Sequence, residues 1–266
     1  MESLFCCPVC RGRLLKEERR LCCGDGHSFD LSKAGYVNLL TGKSGGVHGD
    51  NKEMIKARKA FLDEGHYLPL REALCDLLAE NGAKRLLDVG CGEGFYTEGM
   101  AEKLPEALVA GIDISKDALA YSGKRLKGRA ELAVASAYDL PFEDGLFDAV
   151  TLLFSPFARE EILRVLCKDG LLVMAIPGKR HLWSLKSLLY KTPYENAVAD
   201  FEIEGFSLVG QKHIAYQKTF RGQTLRNLFA MTPYYYRTPK EGVERANAAQ
   251  SLQVEMEFHL LAYRKK

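Results

Sequence analysis

One stretch limits the folds open to this chain more than any other: Leu86-Leu87-Asp88-Val89-Gly90-Cys91-Gly92-Glu93-Gly94, a short apolar strand running into three alternating glycines. Alternate glycines let the backbone turn sharply and come close to a bound ligand. From this point apolar runs and helical patterns alternate. Strands are predicted over 85–89, 108–112, 131–134, 147–153 and 170–176, with helices over 95–103, 115–126 and 159–167. That order predicts an α/β fold with a parallel sheet, and ligands of such sheets sit at the carboxyl ends of the strands. Residues 205–217 and 251–263 close the pattern as an antiparallel pair. A chain of 266 residues that is 47% hydrophobic can bury the core this fold needs.

The residues around the glycines select the ligand. A dinucleotide fingerprint, G-x-G-x-x-G, places a pyrophosphate on a helix N-terminus. Here the pattern is D-x-G-x-G-x-G, with Asp88 ahead of the turn and Glu93 within it. Two carboxylates repel a pyrophosphate and suit a ligand carrying an ammonium and a sulfonium. The second strand ends in Asp113, which can accept the two hydroxyls of a ribose. A nucleoside with a cationic amino-acid arm is S-adenosylmethionine. The stretch Ala135-Ser136-Ala137-Tyr138-Asp139-Leu140-Pro141-Phe142-Glu143-Asp144-Gly145-Leu146-Phe147-Asp148 resembles the loop after strand three of class I methyltransferases. That resemblance implies a Rossmann-like sheet of seven strands, with Ser136 and Ala137 beside the adenine.

Upstream, Cys6, Cys7, Cys10, Cys22 and Cys23 cluster in the first 23 residues of a chain that opens without a basic and apolar leader. Such spacing points to metal rather than disulfides. Cys7-Pro8-Val9-Cys10 is a knuckle, and with Cys23 and His27 it gives C-x2-C-x12-C-x3-H, three thiolates and an imidazole that would close a tetrahedron around structural zinc. The doublets leave two alternatives open, Cys6 for Cys7 and Cys22 for Cys23. Leu4, Phe5, Leu14, Leu15 and Leu21 are too few for a core, so this small zinc ribbon is expected to need its metal. Cys75, Cys91 and Cys167 read as packing residues.

Three units follow: a metal module over 1–40, a linker and helix over 41–65, and the catalytic domain over 66–266. The linker reads Thr-Gly-Lys-Ser-Gly-Gly-Val-His, and Asn51 then caps a helix reaching about Glu64, with Gly65 as terminator. His66-Tyr67-Leu68-Pro69 interrupts before a second helix, placing His66 and Tyr67 where they could close over a ligand.

Charge is segregated: residues 67–177 carry a net −6 and residues 178–240 a net +6. The basic segment is a candidate phosphate surface. Its Lys179, Arg180, Lys186, Lys191, Lys218, Arg221, Arg226 and Arg237 are joined by Arg11, Arg13, Arg19, Arg20 and Lys43, and Tyr234-Tyr235-Tyr236 could stack on bases. The longest apolar run, Leu171–Ile176, is too short to span a bilayer, so a cytoplasmic protein without membrane contact is expected. After strand four stands Phe154-Ser155-Pro156, without the acidic or Asn-Pro-Pro-aromatic motif of enzymes that methylate exocyclic amines. Phe154 and Pro156 could stack on a flipped base or simply close the strand.

Taken together, Cys7-Pro8-Val9-Cys10, Cys23-x3-His27, Gly35-Tyr36-Val37-Asn38-Leu39-Leu40, Ala57-Arg58-Lys59-Ala60-Phe61-Leu62-Asp63, Gly65-His66-Tyr67, Pro177-Gly178-Lys179-Arg180-His181-Leu182 and Met231-Thr232-Pro233 resemble the bacterial large-subunit rRNA guanine-N1 methyltransferases. One branch of that family confers resistance to macrolides such as tylosin. The resemblance implies zinc on Cys7, Cys10, Cys23 and His27, and S-adenosylmethionine contacts from Tyr67, Gly92, Glu93 and His181. These stand beside Asp88, Gly90, Gly94 and Asp113 from the reading above. It implies an rRNA hairpin as substrate and a homodimer around it. No side chain declares itself as the base that removes the guanine N1 proton; His181 is a candidate. Two rival functions are a small-molecule S-adenosylmethionine-dependent methyltransferase and a non-catalytic zinc-dependent RNA-binding protein with a vestigial cofactor site.

Overall fold

The computed structural model describes residues 2–40, 50–198 and 201–266. The glycine-rich linker and Lys43 lie outside these residues. The amino-terminal module is a four-stranded antiparallel sheet of β1 (Glu2–Cys6), β2 (Arg13–Glu17), β3 (Arg20–Cys22) and β4 (Ser28–Asp30), in that spatial order. After it come β5 (Tyr36–Asn38), α1 (Lys52–Asp63) and α2 (Leu68–Glu80). The Asn51 side chain accepts from the Met54 amide at 3.0 Å, so the expected cap is the observed one.

The catalytic part alternates β6 (Arg85–Val89), α3 (Phe95–Lys103), β7 (Leu108–Asp113), α4 (Lys116–Leu126), β8 (Glu131–Val134), β9 (Phe147–Leu153), α5 (Arg159–Val165) and β10 (Leu166–Pro177). It ends with α6 (Trp183–Leu189), β11 (Phe206–Arg221), α7 (Gly222–Ala230), a 3-10 turn at Pro233–Tyr236, α8 (Lys240–Ala248) and β12 (Ser251–Lys265). The sheet order is β11-β12-β10-β9-β6-β7-β8-β5. β12 runs antiparallel to both β10 and β11, and the other neighbours are parallel. Seven of these strands make the expected sheet. The eighth is β5, supplied by the segment that follows the metal module: Tyr36, Val37 and Asn38 pair with Leu132, Ala133 and Val134. Strand order reverses between β6 and β9, which opens a crevice at their carboxyl ends.

Side chains alternate across β6, so Leu86 joins the core under α1–α4 while Leu87 and Val89 face the other side. On that second side Phe5, Leu14 and Leu21 of the ribbon share one core with Val150, Phe142 and Phe147. The Phe5 and Phe142 rings are 5.2 Å apart. The ribbon therefore completes its hydrophobic core by borrowing a face of the catalytic sheet, which explains how so few apolar residues suffice. Polar contacts add to this seam. The Cys6 amide donates to the Pro141 carbonyl at 2.8 Å, and the Leu4 amide to the Glu131 carboxylate at 3.3 Å. Arg11 pairs with Asp139, and Arg13 with Glu143 at 2.9 Å. Both arginines were expected to face phosphates; they face the acidic loop before β9 instead.

The backbones meet closely at one point. A Cβ on Gly123 of α4 would stand 2.0 Å from the Ala34 carbonyl oxygen. Gly123→Ala should thus wedge the segment leading into β5 away from α4, at a cost of about 1–3 kcal/mol. A clear fall in the unfolding midpoint checks this; an unchanged midpoint would refute the close packing.

Candidate cofactor and metal sites

The turn after β6 places Gly90, Gly92 and Gly94 at φ of +77°, +55° and +81°. The constraint is sharpest at Gly90, where a Cβ would fall 2.5 Å from the Ser155 Cβ in the loop after β9. Gly92 is different. A Cβ there would project into open space, its nearest neighbour the Arg58 Nη2 at 3.9 Å, so the missing side chain leaves a cradle for a ligand. Asp113, at the end of β7, ties this turn down: one carboxylate oxygen accepts from the Gly92 amide at 2.9 Å and the other from the Ser115 amide at 2.8 Å.

Asp88 is fully buried. It accepts hydroxyl hydrogen bonds from Thr97 at 2.6 Å and Thr151 at 2.8 Å. Burial pushes its carboxyl up to about 6, although both hydroxyls favour the charged form. The stabilising protonated state is full below the ordinary carboxylate range and is lost as pH rises through about 6. Asp88→Asn should therefore raise the stability of the ligand-free chain by up to about 3 kcal/mol at pH 8. That gain should vanish near pH 4, and cofactor binding should weaken. Thermal melts across pH test it, and a gain that does not depend on pH would contradict it.

Glu93 is also buried, but its charge is spoken for: the Arg58 Nε donates to it at 3.1 Å, and Arg58 also pairs with Asp50. The carboxylates at this turn thus divide into one poised near neutrality, one paired with an arginine, and Asp113. Burial raises Asp113 as well, against the Ser115 and Gly92 amides that lower it.

Tyr67 and His181 meet across the crevice, the hydroxyl 3.5 Å from the His181 Nε2, with Phe258 packed against both rings. The Glu257 amide donates to the His181 Nδ1 at 3.2 Å, which leaves the proton on Nε2. Burial, with the Lys186 ammonium nearby, pushes the imidazole down to about 3. His181 is therefore a neutral donor toward Tyr67, with no free lone pair to act as a base. His66, by contrast, turns away from the crevice. It packs between Phe61 and Phe220 and bonds Glu64 at 2.9 Å.

Ser136 and Ala137 lie half-buried just after β8, and the Ser136 hydroxyl accepts from the Tyr138 amide at 3.2 Å. Phe154 is exposed, at φ +59°, with its ring 6.5 Å from Tyr67. Leu182, beside His181, is the second bulky residue held at positive φ on this rim. Such strain in non-glycine residues collects at functional sites.

In the ribbon, Cys7, Cys10, Cys23 and His27 bring their ligand atoms within 4.8 Å of one another. The Cys10 and Cys23 sulfurs are 3.6 Å apart, and the His27 Nδ1 is 3.3 Å from Cys23. Cys6 and Cys22 stand outside this group: the Cys6 amide is tied to Pro141, and the Cys22 thiol bonds the Ser28 hydroxyl at 3.5 Å. Three thiolates and an imidazole are the donor set of structural zinc.

Comparison with known proteins agrees with the fold and with the two ligand classes. The family model of the RlmA N-terminal zinc ribbon matches residues 5–43, and a methyltransferase-domain model matches residues 86–170. YxjB of Bacillus subtilis (strain 168), named as a 23S rRNA (guanine-N(1)-)-methyltransferase, is 31% identical over 277 residues, covering 97% of this chain and 96% of the relative. This chain is a member of the 23S rRNA guanine-N1 methyltransferase family. A second family member, the Streptomyces fradiae 23S rRNA (guanine(748)-N(1))-methyltransferase, is 32% identical over 90% of this chain and 88% of its own length. For the fold alone, a Galdieria sulphuraria structure described as a sarcosine dimethylglycine methyltransferase superposes with a TM-score of 0.50 at 17% identity, over 76% of this chain and 88% of that one. The rRNA methyltransferase family member described here is an S-adenosylmethionine-dependent enzyme with a structural zinc ribbon.

The sequence reading missed Arg58 as a site residue. It lies 35 residues from Glu93, and its only signal was its place in the Ala57–Asp63 motif.

Proposed function

We propose that this chain transfers the methyl group of S-adenosylmethionine to N1 of a guanine in a large-subunit rRNA hairpin. One observation carries the reading: a Cys3His clip and the strand that leads into a glycine turn suited to a sulfonium ligand share one hydrophobic core, in a chain that matches named guanine-N1 methyltransferases along nearly its whole length. Zinc would sit on Cys7, Cys10, Cys23 and His27, where it locks the ribbon. The cofactor would lie over Gly90, Gly92 and Gly94, with Asp113 on the ribose, Ser136 and Ala137 at the adenine, and Asp88, Glu93, Tyr67 and His181 around the methionine end. When bound, it supplies an electrophilic methyl on sulfur.

The protein's share of the work is alignment, worth up to about 7–11 kcal/mol in favourable cases. Tyr67 and His181 form a dry wall on one side, and Phe154 with Pro156 offers an exposed stacking face for an extruded guanine. N1 must lose its proton, and a neutral His181 with both nitrogens engaged leaves that proton to water.

Among the described residues, the basic segment presents Lys191, Lys218, Arg221, Arg226 and Arg237 at the surface, with Tyr235 and Tyr236 exposed beside them. Arg19 and Arg20 are exposed on the ribbon, while Lys179 pairs with Glu195 at 3.0 Å. Arg180 lies over the Trp183 ring at 4.4 Å. Lys186 does not belong to this surface. It is buried and donates to the Asn196 side chain at 2.5 Å, inside a pair of tyrosines. A homodimer embracing the hairpin, in the cytoplasm, completes the proposal; no helix among the described residues is long and apolar enough to cross a membrane.

Primer extension on large-subunit rRNA tests it, because a methyl on N1 blocks base pairing and stops reverse transcriptase. Deleting the gene should remove one stop, and restoring it should return that stop. A stop that persists in the deletion strain would overturn the assignment.

A further inference from the structure

We infer that Arg58, reaching from the helix between the two domains, is the residue that reads the α-carboxylate of S-adenosylmethionine. The inference rests on the cofactor reading above and extends it to one residue of the Ala57–Asp63 motif that the mechanism left unused.

Two arginines touch the glycine turn. Arg125, on α4, has every side-chain nitrogen engaged: Nε donates to the Glu93 carbonyl at 3.1 Å, one terminal nitrogen to Glu98 at 2.9 Å and the other to Asp63. It is a brace. Arg58 approaches from α1 and uses only two of its three nitrogens, Nε on Glu93 at 3.1 Å and Nη1 on Asp50. Its Nη2 has no protein acceptor among the described residues. That nitrogen lies 3.9 Å from where a Cβ on Gly92 would stand, so it faces the open cradle of the turn. Two carboxylates, Glu93 and Asp50, hold this guanidinium charged and in place.

The ligand's chemistry supplies the missing acceptor. The methionine arm carries an ammonium and a carboxylate on one carbon. Asp88 and the carbonyls of the turn suit the ammonium, but a carboxylate set against Asp88, Glu93 and Asp113 needs a cation beside it. A guanidinium with one free N–H edge is built for that. Because Glu93 and Asp50 consume the other nitrogens, the carboxylate would be met from one side only, and Arg58 would favour it without displacing the pair to Glu93.

The test is calorimetry on the full zinc-loaded chain with two ligands, S-adenosylmethionine and its decarboxylated analogue. The unaltered chain should bind the first at least tenfold more tightly. Arg58→Met should weaken S-adenosylmethionine at least tenfold and leave the analogue within threefold, so that the preference disappears. Arg58→Met leaves Glu93 buried and unpaired, so a parallel Arg58→Met, Glu93→Gln double variant guards against misfolding and should show the same loss of preference. If both ligands weaken equally in both variants, Arg58 merely shapes the loop and the inference falls while the methyltransferase reading stands. If the unaltered chain binds neither ligand, the cofactor reading itself fails.

Discussion

Stripping zinc from the purified chain is expected to cut RNA methylation by more than 100-fold while S-adenosylmethionine affinity falls less than tenfold. Among the described residues of β1 to β4 and their connections, only Phe5, Leu14 and Leu21 are buried large apolar side chains, and these strands are three to five residues long. Structural zinc in such modules contributes about 10–16 kcal/mol of apparent binding energy, which is comparable to an ordinary domain's whole stability. Without the ion, three thiols and an imidazole would crowd within 4.8 Å with nothing to hold them, and β1–β4 should open. The ribbon touches one core face of the catalytic sheet, but the parallel pairing of β6 with β7 and β9 that sets the cofactor turn involves none of its strands. Amide exchange should show protection lost in residues 2–30 and retained in β6 and β9. Cys10→Ser should behave like chelation, whereas Cys22→Ser should keep the metal, because its thiol bonds Ser28 instead. Full RNA methylation by zinc-free protein would sink the assignment of the ribbon to substrate handling.

Asp113→Ala should weaken S-adenosylmethionine binding by about 100-fold or more. Two hydrogen bonds from ribose hydroxyls to a carboxylate are worth about 1.5–3 kcal/mol each. The same carboxylate also holds the Gly92 and Ser115 amides, so its loss would loosen the turn as well. Asp113→Asn keeps one acceptor and should fall between the two. Titration calorimetry reads the affinity directly. An affinity within threefold of the unaltered chain for Asp113→Ala would mean that the ligand does not lie across β6 and β7.

A deletion meant to separate the two activities must respect the seam between them. Removing residues 1–40 would delete β5, whose Val37 is fully buried against the catalytic sheet. Truncation ahead of Tyr36 preserves that strand and is the cleaner comparison.

Much of this arrangement was legible in the residues alone, for a consistent reason. The strands β6 to β9, the cap of α1, the glycine turn, Asp113 and the metal clip are all set by spacing within a dozen or so residues, and local periodicity reports local structure. The choice between the cysteine doublets was different: neighbouring residues at a strand end point to opposite faces, but only the tertiary structure groups Cys7 and Cys23 with Cys10 and His27. What spacing could not reveal were pairings between distant segments. Glu93 looked like a free charge for the ligand until Arg58 arrived from α1. Lys186 looked like a surface cation, but the chain around Asn196 folds over it. Arg11 and Arg13 looked suited to phosphate until the Asp139–Glu143 loop came beneath them.

The sequence by itself thus determined the class of fold, the metal clip and the kind of cofactor, because each is a pattern of residue types at short, regular intervals. Only the tertiary structure decided which charges remain available, that His181 is a neutral donor, and that the ribbon and the catalytic sheet share one core. Burial and ion pairing depend on segments far apart in the chain, 130 residues for the Arg13–Glu143 pair, and no local pattern encodes such a meeting.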